Sequence, residues 1–407
     1  MTRGAARSLA PIDDLTIPEP GSTTAARVLS AAIRRLLPDL GAILHPSVPG
    51  DARLRAELRE LVRAVKVRSP GALASALRRV DVAVWIRCMR PGAGAAIDRR
   101  LGLRRLAFAL VRGLALAGGL PPGLRLRVPG PLPPRLISVA AREVIAAPPG
   151  AEELELGAEG LRFVGAGVPV NMVEWPGDDG RRFTAIAGDI VLATVDDNPL
   201  AGVEAHPDKA GNAVDLGDAS TDAWRRALAE ALALIGDYLP DLRREIDLVV
   251  QQFVPVGVDA VSHLSASYQE SIGTIYLSLH PRLMTMTEAV IHEFSHNKLN
   301  ALLEVDPVLV NAFSTLHRSP VRPDPRPLHG ILLAVHAFLP VARLYERMLA
   351  AGDPRVAGAD TRYRDIVRGN HEGAQVILER GEATAIGAGL VAEIERWDRH
   401  FAAQRGV

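Results

Sequence analysis

The segment from Thr287 to Leu303, TEAVIHEFSHNKLNALL, carries the residues best suited to chemistry. Apolar residues at Val290, Ile291, Phe294, Leu299 and Leu302 recur at helical spacing, and Thr287 before Glu288 is a fair helix start. On such a helix His292 and His296 stand four apart, so both imidazoles leave one face about a turn apart and can bind a single divalent ion. Glu293 points beside them. The HExxH pattern arises by chance in about one chain in a hundred of this length. A strand-like stretch, Gly273 to Leu279, leads into the helix, with Tyr276 and Ser278 on it as hydroxyls that could line a site. The familiar use of the motif is zinc hydrolysis, in which the glutamate deprotonates a metal-bound water.

A third ligand is needed, and the usual zinc arrangements do not supply it. The positions three and six past His296 are Leu299 and Leu302. Glu304 lies eight residues on, about 12 Å along a continuing helix, and after Asp306 the next acid is Asp324. Histidine is the better source. Seven of the eleven histidines lie between His263 and His336. From Arg322 to Met348 the chain reads RPDPRPLHGILLAVHAFLPVARLYERM, and the prolines predict an extended lead-in to a long apolar helix starting near Leu328. His336, between Leu333, Val335, Phe338 and Leu339, is the expected third ligand. His329, two turns before it, and His371 stand in reserve.

Ser271 to Pro281 (SIGTIYLSLHP), the HExxH segment, and Arg322 to Ala342 (RPDPRPLHGILLAVHAFLPVA) together resemble the HExxH-motif proteins encoded with ribosomally made peptide natural products. The resemblance spans Ser265 to Tyr345, about a fifth of the chain. It implies an iron(II)- and 2-oxoglutarate-dependent oxygenase that β-hydroxylates a precursor peptide, on a fold other than the jelly-roll or cupin of most such enzymes. That chemistry needs iron held on one face, with two positions for the keto-acid and one for dioxygen. His292, His296 and His336 would supply the face. Glu293 would be the catalytic carboxylate, as ligand, orienting group or proton carrier. The distal carboxylate of 2-oxoglutarate calls for a cation, and Arg326 is the first candidate, with Arg322 and Lys298 behind it. A zinc peptidase is the alternative enzyme, and a non-catalytic peptide-binding protein is the third reading.

The elements that must position these residues are less legible. With 407 residues the chain can bury a large core, and 48% hydrophobic with 23% charged residues is an ordinary globular composition. Basic and acidic residues balance at 47 each, which excludes a bulk electrostatic grip on nucleic acid or a membrane surface. Cys88 is the only cysteine, so a thiolate cluster is excluded and a cytoplasmic location is expected. No signal peptide is apparent, and the apolar stretch Leu106 to Leu120 is too short to span a bilayer. Only Lys66, Lys209 and Lys298 are lysines, which makes the one inside the motif conspicuous. Residues 1–120 read as mostly helical, with helices over Thr23 to Leu37, Asp51 to Val67 (Asp51 as cap) and Ile97 to Ala117. The Pro/Gly-rich stretch from Gly118 to Pro134 opens an α/β middle region, 121–250. It has short strands at Leu161 to Val164 and Asp189 to Val195, then a helix from Asp222 to Leu239. Residues 251–407 form the metal-binding region. The expected class is α+β, helix-rich, without the βαβ alternation of a doubly wound sheet.

Overall fold

The protein is α+β and helix-rich. A computed structural model describes residues 9, 12–92, 97–165, 167, 173–175, 179–202, 211–319 and 324–403. Among the described residues five helices come first: α1 (Thr24–Ile43), α2 (Ala52–Arg68), α3 (Pro70–Arg78), α4 (Val80–Met89) and α5 (Arg99–Leu116). Six strands follow: β1 (Arg125–Pro129), β2 (Arg135–Ser138), β3 (Glu143–Ala146), β4 (Ala151–Gly157), β5 (Gly160–Gly165) and β6 (Val173–Glu174). Strands β1, β4, β5 and β6 make an antiparallel sheet, and β2 pairs with β3. Leu36, Leu58, Trp85, Phe108 and Leu154 share one core between these helices and that sheet. Two local expectations give way here. Helix α1 continues through Pro38, because the carbonyl that loses its partner belongs to Arg34 on the exposed face, while Leu36 and Leu40 stay anchored in the core. Asp51 has φ 45° and makes no cap bond; its carboxylate reaches Arg104 at 3.5 Å.

A second core carries the HExxH segment. Its sheet contains β7 (Phe183–Ala187), β8 (Ile190–Ala193), β9 (Gln252–Val258), β10 (Ser265–Ala266) and β11 (Thr274–Leu279), ordered β10-β11-β9-β8-β7. The central strands β8, β9 and β11 run parallel, and the edges β7 and β10 antiparallel. Helices α6 (Thr221–Tyr238) and α7 (Pro240–Val249) join β8 to β9, so one parallel crossover does exist although its pattern never repeats. Ser220 caps α6 by accepting from the Ala223 amide. Then come α8 (Leu283–Leu303), the short pair β12 (Leu316–His317) and β13 (Arg326–Pro327), α9 (Leu328–Ala350), α10 (Asp360–Arg380) and α11 (Gly387–Ala403). Phe253, Ile275 and Leu277 from the sheet meet Val290 and Phe294 of α8 and Leu332 and Val335 of α9. Helix α9 is long and apolar enough to cross a membrane by length and composition, yet 72% of its apolar window is buried among the other elements, as in a core helix.

One glycine fixes the register of sheet and helix. Gly273, with φ 103°, donates its amide to Asn297 Oδ1 of α8 at 2.6 Å. A Cβ there would lie 2.8 Å from Val80 Cγ1 and 3.1 Å from the Val249 carbonyl. Gly273→Ala should therefore cost about 2–3 kcal/mol of stability, read as a lower urea midpoint at unchanged slope. An unchanged midpoint would show that the turn relaxes freely.

Candidate metal centre

Helix α8 starts one turn earlier than its sequence suggests, so Thr287 is not its cap. The threonine sits inside the helix and donates its hydroxyl to the Leu283 carbonyl at 2.9 Å. Successive faces of α8 then do different work. Asn297 staples it to the sheet, accepting from Gly273 and donating from Nδ2 to the Thr274 carbonyl at 3.2 Å. Glu288 ties it to its neighbours, accepting from Tyr345 Oη of α9 at 2.6 Å and from Arg362 Nε of α10 at 3.3 Å. The remaining face carries the histidines.

The Nε2 atoms of His292 and His296 are 2.9 Å apart. Two imidazoles bound at about 2.1 Å to one ion, at a right angle, hold their nitrogens about 3.0 Å apart, so the pair fits a shared divalent metal. Burial lowers the pKa of His296, with the Glu293 carboxylate opposing, so its lone pair is available at neutral pH. Glu293 is the third group: its ligand oxygen and the two imidazole nitrogens all lie within 4.8 Å of one another. Both of its oxygens are held, Oε1 by the Ser265 hydroxyl and Oε2 by that of Ser267, each at 2.7 Å. Each oxygen keeps acceptor capacity after one such bond. Ser265 lies on edge strand β10 and Ser267 just past its end, and both hydroxyls reach Glu293 of α8.

A pocket of about 350 Å³ opens on the pair. Arg326 and Ser319 line it with His292 and His296, and Gly330, Leu333, Ala334 and Phe338 of α9 form its wall. Arg326 Nε meets Asp324 Oδ2 at 2.8 Å. The Phe338 ring stands edge-on to His292 at 4.7 Å and separates this pocket from a second one, of about 320 Å³, against Arg362, Arg368 and Asn370 of α10.

Other expected site residues lie elsewhere. His336 is fully buried but does not line the pocket and does not join the ligand group. The wall positions 330, 333, 334 and 338 define one face of α9, and His336 is about 120° round from Gly330. Burial, then the nearby Lys298 ammonium, pushes its pKa well down, with the Leu15 backbone opposing. Lys298 is about 200° round α8 from His296 and points away from the metal face. It is 1% exposed and pairs with Glu245 of α7 at 2.6 Å. Arg322 lies outside the described residues. His329 stacks on Phe313 at 4.9 Å, and His371 bonds Asp398 at 2.9 Å. Tyr276 is engaged on the other face of the sheet, donating to Asp196 Oδ2 at 2.8 Å, and Ser278 accepts from the Leu264 amide. Glu304 and Asp306 are also taken, by Arg90 and by Thr384 with the Val308 amide.

Ser265, Ser267, Ser319, Asn297 and Phe338 were missed in the sequence. The Ser-Ala-Ser alternation and the α9 face arithmetic were the only signals that could have pointed to some of them. Neither a protein-family model nor a curated protein matches this chain.

Proposed function

We propose that this protein is an iron(II)- and 2-oxoglutarate-dependent oxygenase that hydroxylates a side chain of a peptide in the cytoplasm, on a metal site built from helices rather than a jelly-roll. The observation that carries this reading is that the pocket holding His292 and His296 also holds Arg326. Two imidazoles suit a divalent iron, and a guanidinium in the same small pocket suits a keto-acid with a distal carboxylate. When bound, the metal supplies oxygen activation. The overall change converts a C–H bond, O₂ and 2-oxoglutarate into C–OH, succinate and CO₂. Arg326 orients the co-substrate, Leu333, Ala334 and Phe338 exclude water from it, and Glu293 holds a negative charge beside the metal position. The resemblance of three segments to peptide-modifying HExxH proteins supports a peptide as the substrate class.

Hydrolysis is the second reading, and one observation favours it. Glu293, steadied by two serines and within 4.8 Å of the histidine nitrogens, also suits a general base beside a metal-bound water. One incubation separates the two. The protein is given iron(II), ascorbate and a candidate precursor peptide, with and without 2-oxoglutarate. Oxygenation predicts a mass gain of one oxygen and succinate only when 2-oxoglutarate is present; peptide truncation with zinc alone would sink it. Arg326→Gln should raise the KM for 2-oxoglutarate about 10- to 100-fold at unchanged metal content, the worth of a charge-assisted pair. Gly330→Leu, whose side chain must grow towards Arg326 Cβ 3.6 Å away, should block the same pocket without unfolding the helix.

A further inference from the structure

A groove of about 550 Å³ lies on α1 and α2, away from the metal pocket. Its lining follows one rule on both helices. Positions 37, 40 and 41 of α1, with its C-cap residue 44, face positions 59, 62, 63 and 66 of α2, each set spaced i, i+3, i+4, i+7. Each stripe runs about 10.5 Å along its helix, the length of two turns of a third helix laid between them. The floor is apolar: Leu37 and Val62 are partly exposed on it, and Leu40 and Leu44 lie beneath them in the core. The rim is basic. Arg59, Arg63 and Lys66 line it, and no aspartate or glutamate does.

These cations are placed to meet a ligand. Arg63 pairs with Glu60 at 2.8 Å, but both side chains are about two-thirds exposed, so the pair holds weakly. Arg59 is fixed from below by donating to the Leu44 carbonyl at 3.4 Å, and Arg55 donates likewise to Ile43 at 3.2 Å, so the basic edge is braced against the end of α1. Gly41 is exposed, and a Cβ on it would meet nothing within 4 Å, which leaves the middle of the groove open.

We infer that this groove binds a short acidic amphipathic helix of a peptide or protein partner. Its apolar side chains would enter the leucine floor and its carboxylates would meet Arg59, Arg63 and Lys66, the helix-in-groove mode of recognition. Charge decides the occupant. A second copy of the chain docked face to face would set like rims against each other. The inference is independent of the metal chemistry.

The test uses the full chain and a fluorescein-labelled peptide of about 15 residues, with leucine at i, i+3, i+4, i+7 positions and glutamate elsewhere. A twin has lysine for every glutamate, and phosphatidylglycerol vesicles are the third probe. The glutamate peptide should bind, more weakly as salt rises, and the lysine twin about tenfold or more less tightly, a difference of about 1.4 kcal/mol. Gly41→Trp, which fills the groove, and the surface double variant Arg63→Glu/Lys66→Glu should each weaken binding by a similar factor without altering helix content or metal content. Equal binding of the two peptides, no binding, binding that ignores both variants, or binding to the vesicles alone overturns the inference.

Discussion

His292→Ala and His296→Ala should each reduce the affinity for iron(II) or zinc by more than about a hundredfold, beyond what the loss of a merely orienting partner costs. Each removes one of two nitrogens that stand 2.9 Å apart, and no described histidine replaces it: His329 is stacked on Phe313 and His336 faces another way. Turnover should fall with the metal. The fold should survive, since both imidazoles are only half-buried and alanine favours a helix. Metal content by elemental analysis, beside a thermal melt, reads the two effects separately. His336→Ala is the contrast. Its side chain is fully buried in the core side of α9, so it should lower stability by about 2–4 kcal/mol while leaving the metal stoichiometry unchanged. If His336→Ala lost the metal and His292→Ala kept it, the site would have to be redrawn around α9.

What could be read from the sequence was what one element decides by itself. The i, i+4 spacing of His292 and His296 places two nitrogens on one face wherever the helix goes, and the pair stands as that spacing implies. The start of α9 at Leu328 was equally legible, because prolines fix the chain before it. That the structure places His336 and Lys298 off this pocket could not be read there, for the opposite reason. Composition made each conspicuous, an apolar run around one and lysine scarcity for the other, but the direction of a side chain depends on how its helix is rotated against its neighbours. That rotation is set by distant contacts: Asn297 on Gly273, and Glu288 on Tyr345 and Arg362. The serines that hold Glu293 were invisible for the same reason, since a two-residue edge strand such as β10, with Ser267 just past its end, has too little pattern to announce itself. The two residues are close enough for the Lys298 charge to act on His336.

Lys298 should prove a structural residue, and Lys298→Met should cost about 3–5 kcal/mol. Its ammonium bonds Glu245 at 2.6 Å and reaches the Thr16 carbonyl at 3.4 Å. It also acts on Glu393 of α11, which accepts the Thr16 amide at 2.9 and 3.0 Å and the Ile17 amide at 3.0 Å. Burial raises the pKa of Glu245, with Lys298 opposing, and raises that of Glu393 to about 7. Carboxyls whose folded pKa lies above the unfolded value of about 4.3 take up protons on folding, so stability falls as pH rises from there towards about 7. Removing the ammonium strips away a charge that favours both carboxylates, which raises their pKa values further and steepens that fall. The variant should therefore be closest to the parent near pH 5 and weakest at pH 8, as urea midpoints across the range would show. Glu245→Leu added to Lys298→Met should recover much of the loss, because an apolar pair in place of a buried ion pair removes the desolvation cost on both sides. The parent pair links α8 to α7, and Glu393 clips the segment before α1 onto α11, so the metal helix is held from behind by charges that never touch the metal. A Lys298→Met protein of parent stability, with a raised KM for 2-oxoglutarate, would instead return the lysine to the co-substrate.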